Sequence, residues 1–341
     1  MPYGPTSPAP VRRAAACGNR HLASRRLHAS ELVAVSEKLC RADMHVSWGA
    51  EEVASMTQLV LVRRGLFAYR GPRGSALADP ASAMLLNGGE PYQVRHPLAG
   101  GDDCTALTFD DATIADALSA DGARDGRAGA GRSHGPFAQA AGTVSVDAMV
   151  QHGRLLRALA AGGDQTAADT LQADELALAL LGAVVRGDAA GRGSITARRP
   201  RTERRWNDAV EGVRLYLAAD PSRNDSLPQL ARRVHTSAYY LARVVRAQTG
   251  ISIHAYRTRL RIAGALEALA ARDDDVTTIG LALGFATHSH FTSRFTSLTG
   301  MSPTAWRELY RKPRARSGGP GLRTITTALR TNGKAAAALS H

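Results

Sequence analysis

Cysteine is scarce: Cys17, Cys40 and Cys104 are the only three in 341 residues. That number excludes a disulfide framework and suits a reducing compartment. Apolar runs of 18 or more residues are missing as well, which excludes a membrane-spanning helix. Residues 1–30 contain no Asp or Glu and are rich in Ala, Pro and Arg. They have no apolar core of the signal-peptide kind, and without one Ala14-Ala15-Ala16-Cys17 is a poor lipoprotein signal. This stretch reads as a disordered tail, or as a start assigned too early. Catalytic signatures are absent too. There is no Gly-x-Ser-x-Gly elbow, no phosphate-binding loop, and no close His pair with an acid and a later His of the metal-barrel kind. We therefore expect no enzyme activity and assign no catalytic residues.

Hydrophobic content of 44% and charged content of 21% are those of a soluble globular chain, long enough for two cores. The formal charge of +13 and pI near 10.4 point to a polyanionic partner. Its distribution is more telling. Residues 198–316 hold 21 Lys/Arg against 10 Asp/Glu, a net of +11, whereas residues 31–120 hold 7 against 12, a net of −5. A solvated charge run is the plain alternative to a phosphate-binding surface.

Strand signals dominate residues 30–111. Residues 57–62 are β-rich, and Gly65 separates them from residues 66–69. Residues 83–86 lead through Asn87-Gly88-Gly89 to residues 92–95, and residues 104–109 close the series. Such spacing predicts a small antiparallel sandwich or barrel. Residues 121–135 read as a loop. Helices are expected over 146–160 and 165–185. The second is apolar over much of its circumference, which fits either its own core or a partner chain. Residues 186–202, rich in Gly and Arg, read as an interdomain linker.

One helical pattern is then written twice, about 49 residues apart. Leu230-Ala231 leads through Val234 to a helix with Ser237 and Leu241; Ile279-Gly280 leads through Leu283-Gly284-Phe285 to one with Ser289, Phe291 and Phe295. Each copy is a short helix, a tight turn and a second helix. Ser226 and Gln229 have capping-box spacing, Ser237 can cap the helix ending near Gly250, and Ser302-Pro303 can start a final helix. On the first groove helix, Leu241, Val244 and Val245 face inward, leaving Tyr239, Tyr240, Arg243 and Arg246 to project or flank. On the second, Phe291, Phe295 and Leu298 form the buried stripe, opposite His288, Ser289, Thr292 and Ser293. Between the copies, residues 253–271 make a helix about 28 Å long, at ~1.5 Å per residue. That length suits two groove helices addressing major-groove faces about 34 Å apart.

Residues 206–312 resemble the AraC/XylS family of bacterial transcription regulators. The resemblance is carried by Tyr256, Arg261-Ile262, Ala265 and Leu269; by Ile279, Gly284-Phe285, Ser289, Phe291 and Phe295; and by Gly300, Ser302-Pro303 and Arg307. Gly280 stands where Ala is usual, His235 where Gly is common, and Ser293 where a basic residue often lies. The resemblance implies that Tyr239 and Arg243 of the first helix, and His288, Ser289, Thr292 and Ser293 of the second, reach base edges. Strands followed by an apolar helix pair resemble the family's sensor half, a cupin-like barrel with two dimerisation helices, and residues 96–105 resemble a loop found in a subset of its members.

The expected fold is therefore α+β and multidomain. A disordered tail (1–30) precedes a cupin-like antiparallel β-barrel with two dimerisation helices (31–185). A linker (186–202), an all-α double helix-turn-helix domain (203–312) and a second disordered tail (313–341) follow. The resemblance implies a cytoplasmic, nucleoid-associated homodimer, an activator or a repressor. Its implied partners are double-stranded DNA, RNA polymerase and a small-molecule effector of unknown identity. The competing reading is a metal-dependent cupin-type enzyme fused to a DNA-binding domain. Cys40, His45, His96 and Cys104 offer thiolate and imidazole for a soft metal or a redox switch, but their spacing is unlike local Cys-x-x-Cys ligation, and structural roles are the expectation. No metal ligand or cofactor is assigned.

Overall fold

The computed structural model describes residues 22–41, 47–120, 135–160, 167–191, 200–271 and 274–311. His45, most of the expected 121–135 loop, and residues 1–21 and 313–341 of the expected tails lie outside them. In the amino-terminal half, ten strands form two antiparallel sheets. The larger is ordered β1 (Leu22–Ala29), β2 (Val33–Cys40), β9 (Asp102–Phe109), β4 (Gln58–Gly65), β7 (Ser82–Leu86) and β10 (Ala141–Thr143). The smaller is ordered β3 (Glu52–Val53), β8 (Pro91–Arg95), β5 (Phe67–Gly71) and β6 (Gly74–Ala78).

The apolar run on β4 is explained by burial on both faces. Leu59 and Leu61 alternate with Val60 and Val62 along the strand, and Leu59 lies between Leu85 and Leu107. With Val33, Val35 and Phe109, this face packs on α2 (Val146–Ala160) and α3 (Ala167–Gly191). The opposite face, with Val62, Met84, Leu86 and Cys104, packs on Phe67, Tyr69 and Ala78 of the smaller sheet. Side chains alternate across a strand, so a strand covered on both sides is apolar throughout. Gly65 turns the chain from one sheet to the other at φ 78°, where a Cβ would lie 2.1 Å from the Gly101 carbonyl oxygen.

Residues 22–29 correct the reading of 1–30 as a tail. They form β1, paired along β2, with Arg25 Nη2 donating to Glu37 Oε2 at 3.0 Å and His28 Nε2 2.8 Å from Asp174 of α3. These partners lie far along the chain, so local composition did not announce the strand. The short strands β3, β6 and β10 and helix α1 (Asp111–Ala120) were also unexpected. Helix α3 runs six residues past 185, and α4 (Pro200–Ala219) begins before 202, so helix enters the expected linker from both sides. Leu180, Leu181 and Val184 of α3 are buried within their own chain, whereas Leu171 is exposed. No helix among the described residues is long and apolar enough to cross a membrane.

The carboxyl-terminal half is all helix: α4, α5 (Leu227–Arg233), α6 (Ala238–Thr249), α7 (Ile253–Ala271), α8 (Val276–Ala282), α9 (His288–Thr299) and α10 (Pro303–Arg311). It does not stand apart. Ile262, Leu266, Leu269, Phe291, Phe295 and Trp306 join the same apolar cluster as Met149, Leu155 and Leu159 of α2. A second cluster gathers Trp206, Val210, Leu217, Leu230, Leu241, Val244, Tyr256 and Leu260 around the first helical copy.

Candidate nucleic-acid interface

Each copy is built by the same local chemistry. The Ser237 hydroxyl accepts from the Tyr240 amide at 3.2 Å to start α6; the Thr287 hydroxyl accepts from the His290 amide at 3.1 Å to start α9. Both satisfy an amide that has no acceptor inside its helix. Gly250 and Gly300 end these helices at φ 73° and 76°, the left-handed cap glycine favours. The Ser226 amide donates to Gln229 Oε1 at 2.7 Å, as the capping-box spacing predicts.

The repetition extends to side chains. Arg257 Nη2 donates to the carbonyl just before the start of α5, that of Asp225, at 2.7 Å; Arg307 Nη2 donates to the carbonyl of Asp274, just before α8, at 2.6 Å. Thr249 and Thr299 each bond the carbonyl four residues back, at 2.7 and 2.8 Å. Arg261 gathers Pro221, Ser222, Arg223 and Asn224 with bonds of 2.8–3.2 Å. Four of the 21 cations counted in residues 198–316, Arg214, Arg257, Arg261 and Arg307, are thus spent on internal oxygens. The basic surface is smaller than the raw charge implies.

The two turns differ by one residue. His235 holds φ 52° in the first, Gly284 holds φ 84° in the second. The histidine thus occupies a backbone conformation that glycine adopts without strain. Gly280 has its own reason: a Cβ there would lie 2.7 Å from the Phe291 ring. An alanine methyl there would require the Phe291 ring to shift.

The site residues expected from sequence lie on the outer faces of α6 and α9. Tyr239 is 78% exposed, Arg243 and Arg246 are exposed, and Tyr240 is half-buried. Trp206 of α4, which the reading of the site missed, sits beneath two of them. The Tyr240 ring meets its edge at 6.0 Å, and the Arg243 guanidinium lies 5.6 Å from its ring centre. A tryptophan face attracts a cation and restricts its rotamers. On α9, His288, Ser289 and Ser293 are exposed and Thr292 is half-buried. Both His288 ring nitrogens face hydroxyls, Thr277 at 3.1 Å and Thr292 at 3.4 Å, so the imidazole is oriented before any ligand arrives.

Two of the contacts between the halves bear on the site. Asp79, fully buried at the β6–β7 turn, accepts from Arg214 of α4 and from Tyr256 of α7, both at 2.6 Å. Arg214 also reaches the Leu77 carbonyl at 2.9 Å and Ser82 at 3.0 Å. Burial works against its charge, but the Asp79 carboxylate outweighs this and raises its pKa. Elsewhere Gly153 of α2 receives the Trp306 ring, which leaves no room for a Cβ, and its carbonyl accepts from Tyr310 at 2.6 Å.

Beside this second contact lies a cavity of about 360 Å³ lined by Leu61, Arg63, Met149, His152, Glu267 and Trp306, among others. His152 is buried there, its Nε2 without a hydrogen-bond partner among the described residues, and burial with the nearby Arg63 charge lowers its pKa to about 3. Burial raises that of Glu267. This cavity lies where the larger sheet, α2, α7 and α10 converge. Of the candidate soft-metal groups, Cys40, His96 and Cys104 converge on Asp102.

Residues 230–309 match a family model described as a helix-turn-helix domain. Over 93 residues the chain is 30% identical to the regulatory protein PocR of Salmonella typhimurium, covering 27% of this chain and 31% of PocR. Over 93 residues it is also 32% identical to the HTH-type transcriptional activator RhaR of Salmonella schwarzengrund, covering 27% and 33%. The chain thus spans about a third of the length of these relatives. Among solved structures, the carboxyl-terminal domain of AraT, a response regulator from Geobacillus stearothermophilus, shares 27% identity over 29% of this chain and 84% of its own, with a TM-score of 0.29. ToxT from Vibrio cholerae shares 12% over 86% of this chain and 100% of its own, with a TM-score of 0.31. In its carboxyl-terminal half, therefore, the chain carries a helix-turn-helix domain similar to those of these transcription regulators.

Proposed function

We propose that this chain regulates transcription by reading two successive major-groove segments with α6 and α9, under control of its amino-terminal half. The observation that carries the reading is the pair of capped helices joined through α7, each presenting polar side chains outward from a buried aromatic or aliphatic stripe. Tyr239 and Arg243 of α6, and His288, Ser289, Thr292 and Ser293 of α9, contact base edges; Tyr240 and Arg246 flank them. Arg suits guanine O6 and N7, while Ser and Thr accept several bases. The remaining exposed cations bind phosphates and set register rather than sequence.

In this reading residues 31–185 are a cupin-like sensor that pairs two copies through the outer side of α2 and α3, where Leu171 is exposed. Residues 203–312 bind DNA and meet RNA polymerase in the cytoplasm, at the nucleoid. The cavity beside His152 takes a small effector. Its volume falls in the range of ligand sites, and its walls come from both halves, so occupancy couples to their arrangement. Selection of bound sequences with the full chain, followed by footprinting, tests the proposal. Two protected patches on one duplex face, about one helical turn apart, are expected. A single patch, or protection independent of sequence, overturns it.

A further inference from the structure

One end of the sheet sandwich carries a mixed sulfur, nitrogen and oxygen cluster, partly buried, that the DNA-binding reading does not use. Cys40 ends β2 directly opposite Asp102 at the start of β9, and His96 follows the last residue of β8. One ligand atom from each of Cys40, His96 and Asp102 lies within 4.8 Å of the others. The β8–β9 connection thus brings an imidazole and a carboxylate six residues apart to the thiol at the end of β2, more than fifty residues earlier in the chain. Asp102 is buried and His96 half-buried.

The cluster is also supported from behind. His96 Nε2 lies 2.7 Å from Asp102 Oδ2, and the buried Cys104 thiol donates to Asp102 Oδ1 at 2.9 Å. Neighbours of this kind orient a ligating carboxylate and tune its basicity. The cationic neighbours point elsewhere: Arg41 and Arg64 both bind Asp103, the next residue along β9, which faces away from Asp102 across the strand.

We propose that Cys40, His96 and Asp102 bind a zinc-class divalent cation, with Cys104 holding the carboxylate and the fourth position left to solvent. Thiolate, imidazole and carboxylate together are a zinc-type donor set, whereas magnesium and calcium prefer oxygen alone. Their present separations contract to metal-bound distances by side-chain rotation, because two donors sit on paired strands. On binding, the Cys40 thiol and any imidazolium at His96 release their protons to solvent. The site lies beside a contact between the halves, since Arg95, next to His96, bonds Glu211 of α4 at 2.6 Å.

The test uses the full chain, stripped with a chelator and titrated with cobalt(II) and with zinc(II). The expected result is one equivalent bound per chain, a thiolate-to-cobalt absorption band, and displacement of cobalt by zinc. Cys40→Ser is expected to abolish the band, and His96→Ala and Asp102→Asn each to weaken binding at least 100-fold. Circular dichroism of the metal-free variants separates loss of ligand from loss of fold. Failure of the wild-type chain to bind cobalt or zinc at micromolar concentration overturns the proposal. So does binding that Cys40→Ser and His96→Ala leave unchanged, or a Cys40–Cys104 disulfide in place of metal. None of these readouts depends on DNA.

Discussion

Replacing Asp79 with alanine probes the join between the two halves. The carboxylate is fully buried, and among the described residues it is the one acid paired with Arg214, while also accepting from Tyr256. Removing it leaves a largely buried guanidinium with only the Leu77 carbonyl and the Ser82 hydroxyl. Breaking one side of such a pair costs about 3–5 kcal/mol, because the remaining charge has lost its compensation. For a chain of this size that lowers the unfolding midpoint on the order of 10 °C. The double variant Asp79→Ala/Arg214→Met removes both charges, and removing both is often nearly neutral. It is therefore expected to recover more than half of the loss. Thermal unfolding followed by tryptophan fluorescence reads the stability, and small-angle scattering reads whether the halves separate. An unchanged midpoint and radius for Asp79→Ala would refute the reasoning. A double variant no more stable than the single one would show that packing, not charge, holds the join.

Three further outcomes follow from the geometry. Arg243→Ala is expected to lose about 1–3 kcal/mol of discrimination between operator and mismatched DNA at constant salt; equal loss on both sequences would reduce Arg243 to a phosphate contact. Gly280→Ala, which restores the usual family residue, is expected to destabilise the second helical unit by about 1–3 kcal/mol, since the methyl meets the Phe291 ring; a neutral or stabilising result in urea titration would show that the ring yields. His152, with a folded pKa near 3, stays neutral where the unfolded chain, at about 6.5, has already taken up a proton. The unfolded state binds more protons through this window, so stability falls as pH drops from about 6.5 toward 3. His152→Leu should flatten that part of the stability profile; an unaltered slope would remove His152 as its source.

The helical half was legible because its information is local. Ser237, Thr287, Gly250 and Gly300 act on amides and carbonyls within one turn of themselves, and the repeat exposes the same solution twice. In the strands around residues 57–109, β-rich runs marked the elements, but β1 was hidden because Arg25 and His28 find Glu37 and Asp174 only after folding. Trp206 was hidden as a site residue for a similar reason. Nothing in its neighbourhood along the chain says that it lies under Arg243 and Tyr240. Net charge misled in one respect, since it cannot distinguish an arginine facing solvent from Arg261 bonded to four chain oxygens.

By itself the chain's order of residues determined the helix caps, the two turns and the outward faces of α6 and α9, because each depends on neighbours within a few positions. Only tertiary structure decided that Asp79 joins the halves, that His152 is buried beside Arg63, and that Cys40 meets His96 and Asp102. Those depend on strand register and helix packing, which bring Asp79 to Arg214 and Cys40 to His96 and Asp102 across tens to hundreds of residues. No short-range pattern records that closure.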